Sequence, residues 1–226
     1  MISVVIPAMN AEEELPATLT ALVPAALEGI VREVIVVDGG STDRTREIVD
    51  HAGAELIIAP PNRGAQLRAG AAAARHPWLL FLNADTVLDI GWEREADAFM
   101  QRVDRGASRS AAAAFRFAVD DEGFAPRTLE AIVRMRCALF GLPYGDQGLL
   151  IPRRRYDELG GHRPLPMMED IDLARRLGKR HVKLLSSRAV SNAARYRQDG
   201  YLRSALGNVG QRILYSLHIP TARART

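Results

Sequence analysis

The sequence predicts an α/β fold with a central, mostly parallel mixed sheet flanked by helices, on two observations. Short β-branched or apolar runs at residues 2 to 6 (ISVVI), 34 to 37 (VIVV), 55 to 58 (ELII) and 79 to 82 (LLFL) alternate with longer segments of helical pattern. That alternation is the signature of βαβ units feeding a parallel sheet. The chain has 226 residues, 47% apolar and 25% charged, a globular balance that excludes a wholly disordered chain. Length alone allows one large domain or two small ones, and either holds material for a sizeable core.

The first helix is expected to start at Asn10, a capping residue, with Glu13 at the capping-box position and Pro16 in its early turns. Residues 44 to 51 and 65 to 75 supply the next two helices, and Trp92 to Arg105 a fourth. The pattern then changes to a longer strand at 111 to 119, an amphipathic helix at 126 to 141 and a strand at 147 to 151. A helix at 169 to 178 and a last strand at 182 to 185 follow. This second half is too small and too interwoven with the first to stand alone, and no internal repeat or long linker divides the chain. Residues 201 to 219 read as a helix, interrupted by Gly207 and Gly210, that closes the core. Arg203 and Arg212 beside Leu, Ile and Tyr make peripheral contact with a membrane the alternative. The tail TARART is expected to be mobile.

The formal net charge is +3, and Lys occurs only at Lys179 and Lys183, so nearly all positive charge is Arg. Arg suits bidentate contact with phosphate, although codon bias in an Ala- and Arg-rich proteome explains the overall composition better. No clustered charge with an interleaved aromatic platform argues for nucleic acid as a partner. Cys137 is the only cysteine, which leaves no intrachain disulfide and no thiol-built zinc framework. The N-terminus lacks the pattern of a secretory signal, and no stretch approaches about 18 uninterrupted apolar residues. The expected compartment is the cytoplasm.

Ligands of open α/β sheets bind beyond the carboxyl ends of the strands, so the segments that follow each run are where chemistry is expected. After the first run come Pro7-Ala8-Met9-Asn10, and after the second Asp38-Gly39-Gly40-Ser41-Thr42-Asp43. After the third come Pro60-Pro61-Asn62-Arg63-Gly64, and after the fourth Asn83-Ala84-Asp85. Asp38 ends a buried strand before two glycines that permit close approach of a ligand; its carboxylate can accept from a nucleobase N–H or a ribose hydroxyl. Asp43 is read as a cap of the turn and the helix beyond. Arg63 precedes a helix, where its guanidinium and helix N–H groups can face an anion together. Asp85 brings a carboxylate to the ligand edge, and magnesium or manganese needs only one or two carboxylates when phosphates and water complete the octahedron. Capping a turn is the competing role for Asp85. Glu169 and Asp170 open a helix whose dipole favours acidic residues whatever their function. They also follow a Gly160-Gly161 turn and a Pro-rich loop, which can hold them over the crevice, and an ordinary aspartate is ionised at neutral pH and able to act as a base.

Taken in order, SVVIPAMNAEEEL at 3 to 15, VIVVDGGSTDRT at 34 to 45, NRGAQLRAGA at 62 to 71, LLFLNADT at 79 to 86 and MEDIDLARRL at 168 to 177 resemble the family 2 glycosyltransferases of GT-A fold. Each motif alone is unspecific; the ordered set spans residues 2 to about 190. Tyr144-Gly145-Asp146-Gln147-Gly148 is similar to the small bacterial branch often encoded beside radical-SAM or selenium-associated proteins. The resemblance implies a single GT-A domain over 1-226, with a nucleotide-binding half at about 1-105, an acceptor half at about 106-200 and a C-terminal helix at about 201-219. It implies that the backbone around Pro7 and Ala8, with Asp38, holds the nucleoside of a UDP- or GDP-linked sugar. Arg63 would approach the diphosphate beside Asn83 and Ala84, and Asp85 would bind Mn2+ or Mg2+. Asp170 would be the base that deprotonates an acceptor hydroxyl, with Glu169 orienting it, and the anomeric configuration would invert. Asp146 and Gln147 would grip the acceptor, with a simple turn as the competing reading. A homodimer is a further partner expectation.

Two departures bear on this. Many family members carry an acidic residue where Asn83 stands, which would weaken the metal site. The Gln-x-x-Arg-Trp motif and membrane helices of processive relatives are absent, which disfavours polymer synthesis. The rival readings are a nucleotidyltransferase, which should show a Gly-rich basic loop where Pro7-Ala8-Met9-Asn10 stands, and a catalytically weak scaffold that binds a nucleotide sugar. An oxidoreductase is disfavoured because no G-x-G-x-x-G opens the first helix.

Overall fold

The computed structural model describes residues 1–108, 110–140, 145–165 and 167–193. Its first half comprises β1 (Ile2–Ala8), α1 (Leu15–Leu27), β2 (Val31–Asp38), α2 (Thr45–His51), β3 (Glu55–Ile58), α3 (Arg63–Ala73) and β4 (Trp78–Phe81). There follow β5 (Thr86–Leu88), α4 (Trp92–Asp104), β6 (Ala112–Val119), α5 (Phe124–Phe140), β7 (Leu149–Pro152), α6 (Arg153–Glu158), α7 (Glu169–Leu177) and β8 (Val182–Ser191). Short 3-10 turns cover Gly145–Gln147 and Lys179–His181. The expected helix at 201 to 219, the tail, Tyr144 and Pro166 lie outside the described residues.

The eight strands form one sheet in the order β3-β2-β1-β4-β7-β6-β8-β5. β1 pairs in parallel with β2 and β4, and β2 with β3. β7 runs antiparallel to both β4 and β6, while β8 is parallel to β6 and antiparallel to β5. The expected mixed, mostly parallel α/β sheet is therefore present. The chain travels outward from β1 through β2 to β3, then returns across β1 to β4. That reversal is the topological switch point, and it opens a crevice beyond the carboxyl ends of β1 and β4. Because β7 pairs antiparallel with β4 through Phe81 and Leu149, the residues just before β7 arrive at the same crevice.

Alternate side chains fill two layers, as the two-residue period of a strand requires. Val4, Ile6, Leu80 and Leu150 join a core with Leu15 and Leu22 of α1 and Trp92 and Phe99 of α4. Val5, Val37, Leu79 and Ile151 join the opposite core with Leu67 and Ala71 of α3, Tyr156 of α6 and Leu173 of α7. Being covered on both faces explains why these strands read as continuous apolar runs.

Three local readings change. Helix α1 begins at Leu15, with Pro16 in its first turn, and has no side-chain cap. Asn10 instead adopts φ 50°, and its amide oxygen accepts from the Thr42 N–H at 2.9 Å. The competing partner is the 41–45 turn: Ser41 Oγ accepts from the Asn10 N–H, Thr45 Oγ1 from Ala11 and Asp43 from Glu12. Asp43 also accepts from the Thr45 N–H, in keeping with its reading as a turn residue. The strand expected at 182 to 185 extends to Ser191 because Glu95 of α4 accepts from the Ser186 and Ser187 N–H groups and carries β8 past an irregularity. β5 and α6 were not anticipated.

Helix α3 sets the depth of the crevice, since it lies directly on β1 and β2. At Gly70 a Cβ would stand 2.4 Å from Val5 Cγ1 and 2.9 Å from Val37 Cγ2. Gly70→Ala is expected to destabilise the fold by about 1–3 kcal/mol through overpacking, although alanine is the better helix former by about 1 kcal/mol. Urea denaturation measures the difference, and a stabilised variant would contradict this packing.

Candidate active site

At the β1–β2 edge the turn after β2 is held by its own first residue. Asp38, paired with Ala8 across the strands, has no exposed surface. Its carboxylate accepts from the Ser41 N–H at 3.0 Å, from the Ser41 hydroxyl, and from Arg46 Nε at 2.7 Å. Burial alone would raise its pKa, but the Ser41 and Arg46 hydrogen bonds outweigh burial and hold it below the usual carboxylate value. Asp38 was expected to contact the nucleoside; here its carboxylate is held by the turn, because a carboxylate enclosed at a strand end needs partners for both oxygens. Ala8 presents no free carbonyl either, since that oxygen accepts from the Gly39 N–H at 2.9 Å and from Gln66 Nε2 at 3.0 Å. The same Gln66 nitrogen donates to the Val37 carbonyl at 2.9 Å, so one buried amide ties the ends of β1 and β2 to α3. Pro7 is buried between Ile6 and Ala8 and carries no N–H. Gln66 was missed by sequence reasoning; its signal is a lone amide on the buried side of an Ala- and Gly-rich helix.

Asn62 caps α3 by accepting from the Ala65 N–H at 2.9 Å, which places Arg63 on the first turn, facing the crevice. The Arg63 guanidinium then joins two distant segments. Its Nε pairs with Glu169 Oε1 at 2.7 Å, and its Nη2 donates to the Asn83 amide oxygen. Glu169 is only 4% exposed. Burial raises its pKa above the usual value, Arg63 pulls it down, and the neighbouring Asp170 charge pushes it up again. Arg63, Asn83, Gly148, His162 and Asp170 line one small pocket of ≈ 30 Å³. The structure thus brings Arg63, Asn83, Glu169 and Asp170 together, as expected from their places at the sheet edge.

Ala84 turns its carbonyl toward α1, where the Thr18 hydroxyl donates to it at 2.7 Å. Asp85 is half-buried, and among the described residues its carboxylate accepts one hydrogen bond, from the Thr86 hydroxyl at 3.4 Å. Among the described residues no group of three or more His, Cys, Asp or Glu could hold a metal. A single available carboxylate fits a divalent cation only if ligand phosphates and water supply the other positions. The Asn83 amide oxygen already accepts from Arg63.

Gln147, 1% exposed, donates to the Phe115 carbonyl at 3.0 Å and accepts from Cys137 Sγ at 3.2 Å. Its amide holds the segment before β7, as a buried amide must satisfy both ends; the acceptor contact expected of Gln147 remains a proposal. Asp146 stands half-buried in the same 3-10 turn.

His162 was also missed. It is 2% exposed, edge-on to Phe81, and its pKa is pushed down to about 3 by burial, with Arg63 and Arg176 adding to the shift. The Tyr156 hydroxyl accepts from the His162 N–H at 2.9 Å and lies 3.1 Å from Nδ1. That fixes a neutral ring at the wall of the pocket. No sequence pattern distinguishes it from an ordinary loop histidine.

A family model described as glycosyl transferase family 2 matches residues 3–135, more than half of the chain. A protein of Mycobacterium tuberculosis named an uncharacterized glycosyltransferase is 35% identical over 107 residues, covering 47% of this chain and 45% of that relative. A PGL/p-HBAD biosynthesis glycosyltransferase of the same organism is 36% identical over 107 residues, covering 39% of this chain and 36% of its own length. The match thus spans less than half the length of these curated relatives. Among solved structures, S. aureus TarS aligns with a TM-score of 0.66 at 16% identity, covering 94% of this chain and 65% of that one. Glucosyl-3-phosphoglycerate synthase from Mycobacterium tuberculosis, crystallised with Mn2+ and UDP-glucose, aligns with a TM-score of 0.64 at 20% identity, covering 98% and 80%. At these identities the likeness is one of fold, and the fold is that of GT-A glycosyltransferases.

The neutral His162 gives the pocket a pH signature. The unfolded chain takes up this proton near pH 6.5, whereas the fold refuses it down to about 3. The residue's contribution is therefore present above about pH 6.5 and lost as pH falls toward about 3, roughly 2 kcal/mol by pH 5. Urea melts across this range should show the slope of stability on pH flattened in His162→Gln. An unchanged slope would contradict the buried neutral ring.

Proposed function

Because the chain belongs to glycosyl transferase family 2, we propose that it transfers a sugar from a UDP- or GDP-linked donor to an acceptor hydroxyl, with inversion and with a divalent metal. One observation carries this reading. Arg63 holds Asn83, just past the end of β4, and Glu169, at the start of α7, and it lines one pocket together with Asn83 and Asp170. The switch-point crevice then has a cation for a diphosphate at one end and a carboxylate for an acceptor at the other.

In this proposal the nucleoside lies against Pro7, Ala8 and the 38–41 turn, which Asp38 keeps folded. The diphosphate engages Arg63, whose present partners, Glu169 and Asn83, neutralise and orient it until an anion competes. Asp170 takes the proton of the acceptor hydroxyl as that oxygen attacks the anomeric carbon from the face opposite the departing diphosphate. Direct displacement of this kind inverts the centre. Glu169, committed to Arg63, positions α7 rather than sharing the proton. Asp85 would hold Mn2+ or Mg2+, which when bound offsets charge on the leaving diphosphate.

Several narrower expectations belong to the same proposal. The halves at about 1-105 and 106-200 act as one unit, since the sheet runs through both. The kinship with the radical-SAM-associated bacterial branch is supported by the segment ending at Gly148. Asp146 remains the acceptor-side residue in that segment, and a homodimer is retained. Among the described residues no helix is long and apolar enough to cross a membrane. We place the reaction in the cytoplasm, with any contact to a membrane made by the segment beyond residue 193.

A thermal-shift panel of nucleoside diphosphates with Mn2+ tests the donor end. A ligand at about 100 times its dissociation constant adds roughly 2.7 kcal/mol, and Asp85→Ala should remove the metal-dependent part. Asp170→Asn should keep the shift and lower turnover by about 10²–10⁴-fold, the usual worth of a general base. No shift with any nucleoside diphosphate would sink the transferase reading. Binding without turnover in the unaltered chain would favour the scaffold, and nucleotidyl transfer from a triphosphate the nucleotidyltransferase.

A further inference from the structure

A second cleft, of ≈ 100 Å³, opens between β6, β8 and α5. Four arginines line it, Arg116, Arg127, Arg134 and Arg188, against the single carboxylate of Glu130. Arg127 is paired with Glu130 at 3.2 Å, and Glu130 is itself held by the Val119 N–H. Arg188 grips Asp89 through Nε at 2.7 Å and Nη2 at 3.2 Å. The side chains of Arg116 and Arg134 form no ion pair or hydrogen bond among the described residues. The lining therefore carries two guanidinium charges without a counter-charge, above a floor that includes Phe117, Val133 and Leu184.

Solvated surface arginines point away from one another and cost little. Arg116 and Arg134 are exposed but line the same cleft, so an anion seated there is met by two guanidinium groups that have no other charged partner to give up. A phosphate monoester carries a charge of about −1.5 to −2 at neutral pH, which matches the two unpaired arginines. Its oxygens suit the planar guanidinium fork better than any other common group except a carboxylate.

The position of the cleft suggests what bears the phosphate. Gln147 lines it, and the next residue, Gly148, lines the pocket that holds Asp170. Consecutive Cα atoms are only about 3.8 Å apart, so the two cavities share one thin wall. We propose that this cleft binds a phosphate group, with Arg116 and Arg134 as its ligands, and that the phosphate belongs to the acceptor. The second clause rests on the transferase reading above; the anion site itself does not.

Calorimetric titration of the full chain with inorganic phosphate and with glycerol 3-phosphate, with and without UDP and Mn2+, tests the site. Arg116→Ala and Arg134→Ala should each weaken binding by about tenfold or more, with unchanged melting temperature because both side chains are exposed. Arg63→Ala should leave phosphate binding at this cleft intact. Vesicles carrying phosphatidic acid present the same group. Their retention by the unaltered chain and loss in the Arg116→Ala, Arg134→Ala double variant, without binding of glycerol 3-phosphate, would identify a lipid as the carrier. Phosphate binding abolished by Arg63→Ala alone would assign it to the donor end and overturn the proposal. So would the absence of binding by the unaltered chain, or binding indifferent to Arg116 and Arg134. Failure of the transferase reading would appear separately, as no response to UDP while the arginine dependence of phosphate binding persists.

Discussion

The bond from Arg63 to Glu169 is the constraint on which the crevice depends. It joins the first turn of α3 to the first residue of α7, segments that the chain order keeps far apart. Glu169 is buried and Arg63 partly exposed, so the two partners stand in different environments. A buried carboxylate without its cation typically costs about 3–5 kcal/mol, and solvent at Arg63 reduces that figure here. Glu169 is accordingly held in balance, raised by burial and lowered by Arg63. An anion that drew Arg63 away would leave Glu169 to take up a proton or find another partner. The loop after β4 and the start of α7 are thus linked by one guanidinium.

The packing around that bond explains why the loop ahead of α7 can reach it. At Gly64 a Cβ would stand 2.1 Å from the Arg163 carbonyl oxygen, so the loop lies directly on the start of α3 only because this residue is glycine. Asn62 Nδ2 donates to the Leu165 carbonyl at 3.1 Å, and Arg163 and Arg176 both grip Asp172. Arg176 also reaches back to the carbonyls of Leu159 and Gly161. At the end of this loop Met168 adopts φ 65°, a conformation uncommon for a residue with a side chain. Strain of this kind persists where its surroundings over-determine it, and here it turns the chain so that α7 begins with Glu169 and Asp170 at the pocket.

Much of this was legible in the sequence, and the boundary of legibility is physical. β1, β2 and β4 could be read because burial on both faces writes a continuous apolar run, and the half-exposed edge strand β3 could be read from its short apolar run ELII. Arg63, Asn83, Glu169 and Asp170 could be placed because a sheet edge collects whatever follows each strand. The place of Asp38 at the edge was legible for the same reason, but no sequence pattern tells that Ser41 and Arg46 enclose it. Gln66 and His162 escaped because their roles come from contacts with β1, β2 and Tyr156, which local spacing does not encode. The polar end of β8 escaped because Glu95, from a different helix, supplies the acceptors that a further strand partner would otherwise supply.

Asn83 ties these strands of reasoning together. Were it acidic, it could serve as a second metal ligand, but it would also bind Arg63 more strongly and compete with Glu169 for the same guanidinium. As an amide it gives Arg63 a neutral acceptor, which in the proposed reaction would keep the cation available to a diphosphate, and it leaves Asp85 as the only carboxylate of the 82–85 loop. A metal held by one protein carboxylate draws most of its ligands from the nucleotide and from water. Metal affinity in such a site must rise when the diphosphate is bound, and by linkage the diphosphate must bind more tightly by the same factor when the metal is present. Replacing an acidic residue by Asn83 therefore need not weaken the loaded complex in proportion. Under the proposed reaction, that would make this a site that assembles metal and donor together rather than one that stores metal.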